Sequence, residues 1–134
     1  MSPKQGVRNP PSKEEGLQEL KKLIESYENK LEISKNTEQI AVKFCLQLLH
    51  EKVPGNSVEV RIPPHAAVQV IEGIKHKRGT PPAVIEMDAK TWIYLASGKT
   101  TWDTAKSQGL ISASGERADL STVLPLLSAQ DLAK

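Results

Sequence analysis

Cysteine, aromatic side chains and charge of one sign are all scarce in this chain of 134 residues, and each scarcity closes off a class of function. The single cysteine, Cys45, cannot form an internal disulfide, so stability has to come from a buried core, and a reducing compartment is implied. Eighteen basic residues stand against 16 acidic ones for a net charge of +2, too little for the electrostatic footprint that nucleic acid or an anionic membrane requires. No apolar run approaches the length of a membrane span and no secretory h-region is present. The expectation is a cytoplasmic protein with no nucleic-acid partner and no stable membrane insertion. Aromatic residues make up 4% of the chain, so Trp92 and Trp102 carry most of the aromatic area that a core or a site can use.

The familiar catalytic signatures are missing too. There is no G-x-S-x-G, H-E-x-x-H or G-x-G-x-x-G, and Cys45, His65 and His76 do not fall at zinc spacing. The one suggestive stretch is "SGKTT" at residues 97–101. A phosphate-cradling loop needs a first glycine five residues before the second, and Ile93 holds that place. Such a loop also opens a helix after a buried strand, whereas "AKTWIYLA" before Gly98 has helical spacing and ends at the glycine. Gly98 is therefore read as a helix stop. No catalytic residue, metal site or cofactor is assigned, and the chain is read as a non-enzyme.

What is present is a series of periodic segments. "MSPKQGVRNPP" is polar and has no apolar period, so residues 1–11 are expected to form a disordered tail. Ser12 and Glu15 form a capping box for a helix predicted over about residues 13–32. Along it Leu17, Leu20, Ile24, Tyr27 and Leu31 recur at three- and four-residue steps, a seam that packs on this protein's own body or on a second copy. Asn36 and Gln39 are read as caps of a second helix, whose stripe of Ile40, Ala41, Phe44, Cys45, Leu48 and Leu49 faces a core. Cys45 in that stripe reads as a small buried hydrophobe.

"VEVRI" alternates as a half-buried strand, "AAVQVIE" is a second strand, and "AVIEM" is a third with Ala83, Ile85 and Met87 on one side. Asp88 caps the helix that carries Trp92, Leu95 and Ala96. Thr100 and Asp103 are read as caps of a short helix closed by Gly109, and "LISASG" is a fourth strand with Ile111 and Ala113 pointing together. A last helix is expected to carry Leu120, Val123, Leu124 and Leu127, with Pro125 kinking or ending it. The order gives an α+β fold, helices covering one face of a mainly antiparallel sheet, with an additional N-terminal helix. Residues 12–134 are read as one domain, 12–35 being a helical extension and 36–127 the core.

From about Val58 to Leu127 the chain resembles the sterol-carrier-protein family, in particular a short bacterial branch of it. The stretch "DAKTWIYLASGKTTWDTAKSQGLISASGERADLSTVLPLL" is similar to the family's helix, T-G-K turn, short helix, strand and terminal helix, and "VEVRIPPHAAVQVIEG" with "HKRGTPPAVIEMD" resembles the bacterial branch. The resemblance implies a sheet of five strands, where the residues themselves give four. It further implies an apolar tunnel between sheet and helices that accepts acyl chains, sterols or other lipids, and no catalytic residues. Gly98 and Lys99 match the turn, Ile111 and Ala113 the inward strand positions, and Trp92 and Leu95 the cavity-lining helix. Ala113 stands where a larger aliphatic is usual.

The candidate ligand-binding residues are Trp92, Leu95, Trp102, Ile111, Ala113, Leu120, Val123 and Leu124. They are cavity walls if the interior is hollow and ordinary core if it is filled, and the two cases look identical in sequence. In "HKRGTPP", His76 and Arg78 are candidates for an anionic headgroup, the alternative being a solvated loop. His65 finds no Asp or Ser partner by spacing, and His50 is placed near its helix's last carbonyls. The expected function is non-enzymatic binding of a lipid or other apolar small molecule between sheet and helices. The rival is a protein-interaction or oligomerisation module with a filled core, a homodimer formed through the N-terminal heptad helix.

Overall fold

The computed structural model describes residues 6–73, 83–115 and 117–133. His76 and Arg78 lie outside them. Helix α1 spans Lys13–Glu28, α2 Lys35–Lys52, α3 Ala89–Ala96, α4 Trp102–Ser107 and α5 Ala129–Ala133; strands β1 to β4 span Val58–Ile62, Ala66–Val70, Ala83–Glu86 and Ser112–Ser114. Among the described residues the sheet has four strands in the order β2-β1-β3-β4.

Alternation decides which face of the sheet is covered. Val58, Val60, Ile62, Val68, Val70, Ala83 and Ile85 are buried, while Arg61, Ala67, Gln69 and Glu86 on the opposite face are exposed, the pattern of a sheet covered on one side. On the open face Glu59 and Arg61 pair at 2.7 Å. β1 and β2 form an antiparallel hairpin, and β3 and β4 are antiparallel, but β1 and β3 run parallel in register Val58↔Ala83 to Arg61↔Glu86. The sheet expected to be mainly antiparallel is thus mixed, with two antiparallel pairings and one parallel pairing among the described residues. Parallel neighbours need a crossover of about a dozen residues, and the connection from 71 to 82 has that length.

Helix ends explain most differences in boundaries. Ser12 Oγ accepts from Glu15 N at 3.1 Å and opens α1 as expected. The helix stops at Glu28 instead of running to residue 32, because Lys30 adopts φ +54°. Leu31 N–H then donates to Ser26 O at 2.9 Å and Lys30 N–H to Tyr27 O at 3.4 Å, a Schellman stop built without glycine. Leu31, turned out of the seam, is 54% exposed. Ser34, not Asn36 or Gln39, caps α2, and Thr101, not Thr100 or Asp103, caps α4.

α1 and α2 pack on each other through Leu20, Leu23 and Ile24, all buried within the single chain. Of the expected seam, Leu20 and Ile24 belong to this chain's core and Leu17 and Tyr27 pack partly buried against it. Of the segment expected as a tail, residues 6–11 are described, and there Val7 is buried with its N–H donating to Gln47 Oε1 at 3.0 Å. His50 Nδ1 meets Gln69 O of β2 at 3.0 Å instead of its own helix's carbonyls.

The expected helix around Leu120–Leu127 does not form. Residues 118–128 are turns and irregular chain, and α5 begins only at Ala129. Pro125 lacks an N–H and disfavours helical geometry at Leu124, so apolar spacing alone could not sustain a helix there.

Candidate ligand-binding cleft

Two adjacent pieces of chain build the cleft. α3 starts at Asp88, whose Oδ1 accepts from Thr91 N at 2.9 Å, and ends at Gly98, φ +80°. Lys99 N–H donates to Tyr94 O at 2.8 Å and Gly98 N–H to Leu95 O at 3.3 Å, so Gly98 is the left-handed helix stop read from "SGKTT". One carbonyl of that last turn, Ala96 O, accepts from Leu126 N at 2.9 Å and Leu127 N at 3.1 Å. That pins the irregular segment around residues 120–127 across the end of α3. From the other side, Lys52 Nζ of α2 donates to Val123 O at 2.7 Å.

Between the α3–α4 turn and this strap lies a cleft of about 220 Å³. Gly98, Thr100, Thr101, Trp102 and Asp103 line one wall, and Ser121, Leu124 and Pro125 the other. A β-carbon on Gly98 would stand 3.5 Å from Pro125 Cβ, which marks how closely the two walls approach there. Thr101 Oγ1 is engaged in capping, accepting from Thr104 N at 3.1 Å, and Ser121 N–H donates to Asp119 Oδ1 at 2.8 Å. The latter bond holds the Asp119 carboxyl below its ordinary range.

Of the eight apolar candidates, the structure brings Trp102 and Leu124 together in this cleft. Trp92, Leu95 and Leu120 are instead fully buried in the core, with Ile111 at its edge and Ala113 and Val123 half-buried against it. Trp92 is 0% exposed, and its indole Nε1–H has no hydrogen-bond partner among the described residues. Neither this cleft nor a second one of about 290 Å³ beside Leu31 is lined by a residue of the sheet. The second is ringed by Lys22, Glu25, Glu32 and Thr37 around Leu23 and Leu31, a largely polar rim.

A polar knot is built from residues that line neither cleft. Glu38 accepts from Tyr27 Oη at 2.7 Å through Oε2, and its Oε1 lies 2.8 Å from His65 Nε2. The Tyr27 and Tyr94 rings meet edge to face at 6.0 Å, and Lys90 Nζ lies over both, 5.8 and 5.6 Å from their centroids. Burial, reinforced by the hydrogen bond to Glu38, pushes the Tyr27 phenol above its ordinary range. This knot ties α1, α2, α3 and the β1–β2 turn together; local spacing around His65 could not reveal Glu38, 27 residues earlier in the chain. Burial alone pushes the Cys45 thiol up to about 12, which fits an inert core residue. Among the described residues no three His, Cys, Asp or Glu side chains group as a metal site, and no helix is long and apolar enough to cross a membrane.

Sequence comparison adds one finding. The model of a family described as "Bacterial SCP ortholog" matches residues 34–126. The match begins at the N-cap of α2 and ends in the strap that closes the cleft. No curated protein matches the chain. α1 therefore lies before the matched region, and both walls of the cleft lie within it.

Proposed function

Because the chain belongs to the bacterial SCP ortholog family, we propose that it binds an apolar or amphipathic small molecule without transforming it, at the cleft where Trp102 and Leu124 meet. That meeting is the observation that carries the reading: two of the residues named from sequence as cavity walls line one open cleft. The remaining candidates, Trp92, Leu95, Ile111, Ala113, Leu120 and Val123, lie in or against the core and do not line the cleft.

Size sets the affinity. A volume of about 220 Å³ corresponds to roughly seven water-sized groups, and six or seven methylenes transferred from water contribute about 5 kcal/mol before ordering costs. That is a dissociation constant on the order of 0.1–1 mM. The cleft alone thus suits rapid exchange of a chain end, and tighter retention requires the strap or the core behind it to yield. The rival reading, an interaction module using the heptad helix, has less to stand on, since Leu20, Leu23 and Ile24 are already buried within the monomer.

Two measurements test the proposal. Native mass spectrometry of the purified protein, before and after denaturing extraction, should reveal a co-purified apolar molecule, and an uncharged fluorescent alkyl probe should bind and be displaced by long-chain alcohols. Leu124→Asp should weaken that binding by about tenfold or more, since it puts an ion where methylenes would lie. Absence of both a co-purified molecule and probe binding ends the binder reading.

A further inference from the structure

We infer that the cleft favours amphiphiles with a positively charged end, of the alkylammonium class, over fatty carboxylates, and that Asp103 sets this preference. The inference rests on the cleft being a ligand site and adds which ligand it takes. Asp103 is the only formally charged residue among the described residues that line the cleft, and it is exposed there beside Trp102. The other polar members, Thr100, Thr101 and Ser121, are uncharged.

Three lysines neighbour the cleft, and one of them is ion-paired. Lys99, between two lining residues, pairs with Glu28 Oε2 at 3.1 Å. Lys52 Nζ is held by Val123 O at 2.7 Å. Lys106, one turn along α4 from Trp102 and Asp103, interacts with Asp119. In the first turn of α4, Thr104 N–H is taken by Thr101 Oγ1 and Ala105 N–H by Thr101 O. A chain whose apolar part rests against Trp102 and Leu124 therefore presents its polar end beside the Asp103 carboxylate, the one formally charged side chain in the described lining. A carboxylate end meets repulsion there and an ammonium end attraction.

Both effects are modest, because Asp103 faces water. An exposed pair changes affinity by about twofold to fivefold in its favour, and a like pair by a similar factor against. The ratio between the two ligands is thus about tenfold at low ionic strength and collapses in about 1 M salt, where the Debye length is near 3 Å.

The experiment titrates the intact protein with dodecylamine, dodecanol and dodecanoate at neutral pH below their micelle concentrations. Binding is followed by tryptophan fluorescence, to which Trp102 in the cleft contributes, and independently by calorimetry. The expected order is amine, then alcohol, then carboxylate, with the spread lost in high salt and in Asp103→Asn. Salt dependence of the wild type provides a readout that needs no variant. Dodecanoate binding as tightly as the amine, or a spread that persists in Asp103→Asn or in high salt, overturns the inference while leaving the ligand site standing. Failure of all three to bind overturns both.

Discussion

Replacing Gly16 by alanine should destabilise this protein, against the usual direction of that change. In an exposed helix interior, alanine stabilises by about 1 kcal/mol relative to glycine because it loses less backbone freedom on folding. Gly16, the fourth residue of α1, is buried where that helix meets α2. A methyl group built there would lie 2.7 Å from Phe44 Cβ, with the ring carbons Cγ and Cδ1 nearer still. Carbon atoms in contact stand about 3.5–4.0 Å apart, so the helices or the ring must shift by about 1 Å.

Phe44 has little freedom to give way, being 4% exposed and attached at Cβ to the α2 backbone. Forcing one extra carbon into a packed interior costs about 1–3 kcal/mol, and spreading α1 from α2 adds lost contact around Leu20 and Leu23. Set against the helix-propensity gain, the net loss is about 1–2 kcal/mol. For a domain of this size that lowers the melting temperature by roughly 3–10 °C. Circular dichroism during thermal and urea denaturation measures it. A Phe44→Ala background, which removes Cγ and Cδ1, should reduce the cost, with a coupling of about 1 kcal/mol between the two sites. An unchanged or raised melting temperature for Gly16→Ala in the wild-type background refutes the close helix crossing.

Three further outcomes are expected. Lys30→Gly should stabilise by about 1 kcal/mol in urea denaturation, since Lys30 holds φ +54° at a position glycine occupies at lower cost. Leu20→Glu should leave the mass in solution unchanged by light scattering while removing about 3 kcal/mol or more of stability, because Leu20 is 0% exposed within the monomer; a change in oligomeric state would return the heptad seam to an intermolecular role. Tyr27→Phe should flatten the alkaline end of the stability profile. The folded phenol keeps its proton where the unfolded one, with a pKa near 10, loses it, so wild-type stability falls as pH rises above about 10, by up to about 1.4 kcal/mol per pH unit. The buried Cys45 thiol adds a limb of the same sign between its ordinary value of 9.0 and about 12; equal alkaline slopes in wild type and Tyr27→Phe would remove Tyr27 from the account.

Local chemistry made much of the fold legible. Ser12, Asp88, Gly98 and Gly109 act at the helix ends where their side chains or lack of one placed them, because capping involves residues only three or four apart. Val58, Val60 and Ile62 chose their face by period two. What stayed hidden depended on distant partners: the parallel register of β1 with β3, and the Glu38 that meets His65. The stretch from Leu120 to Leu127 misled for a different reason. Its apolar spacing fits a helix and its leucines do pack on the core, but the anchoring comes from Leu126 and Leu127 N–H groups bonded to Ala96 O. A burial pattern records which side chains face inward and not which backbone hydrogen bonds bring them there.

The same distinction governs the site. Large apolar side chains at regular spacing are what a solid core requires, and Trp92, Leu95 and Leu120 meet that requirement by being fully buried. A cleft needs something that regular elements do not supply, a place where the chain changes direction and leaves neighbouring surfaces apart. Here two such places coincide: the left-handed turn at Gly98 and the proline-interrupted strap at Pro125. Of the eight candidates, the two that line the open space, Trp102 and Leu124, are those adjoining these breaks, one just after the turn and one just before the proline. Because Gly98 and Pro125 hold the backbone at the two walls of the cleft, a substitution that let the strap become helical should close the cleft even with every lining side chain retained.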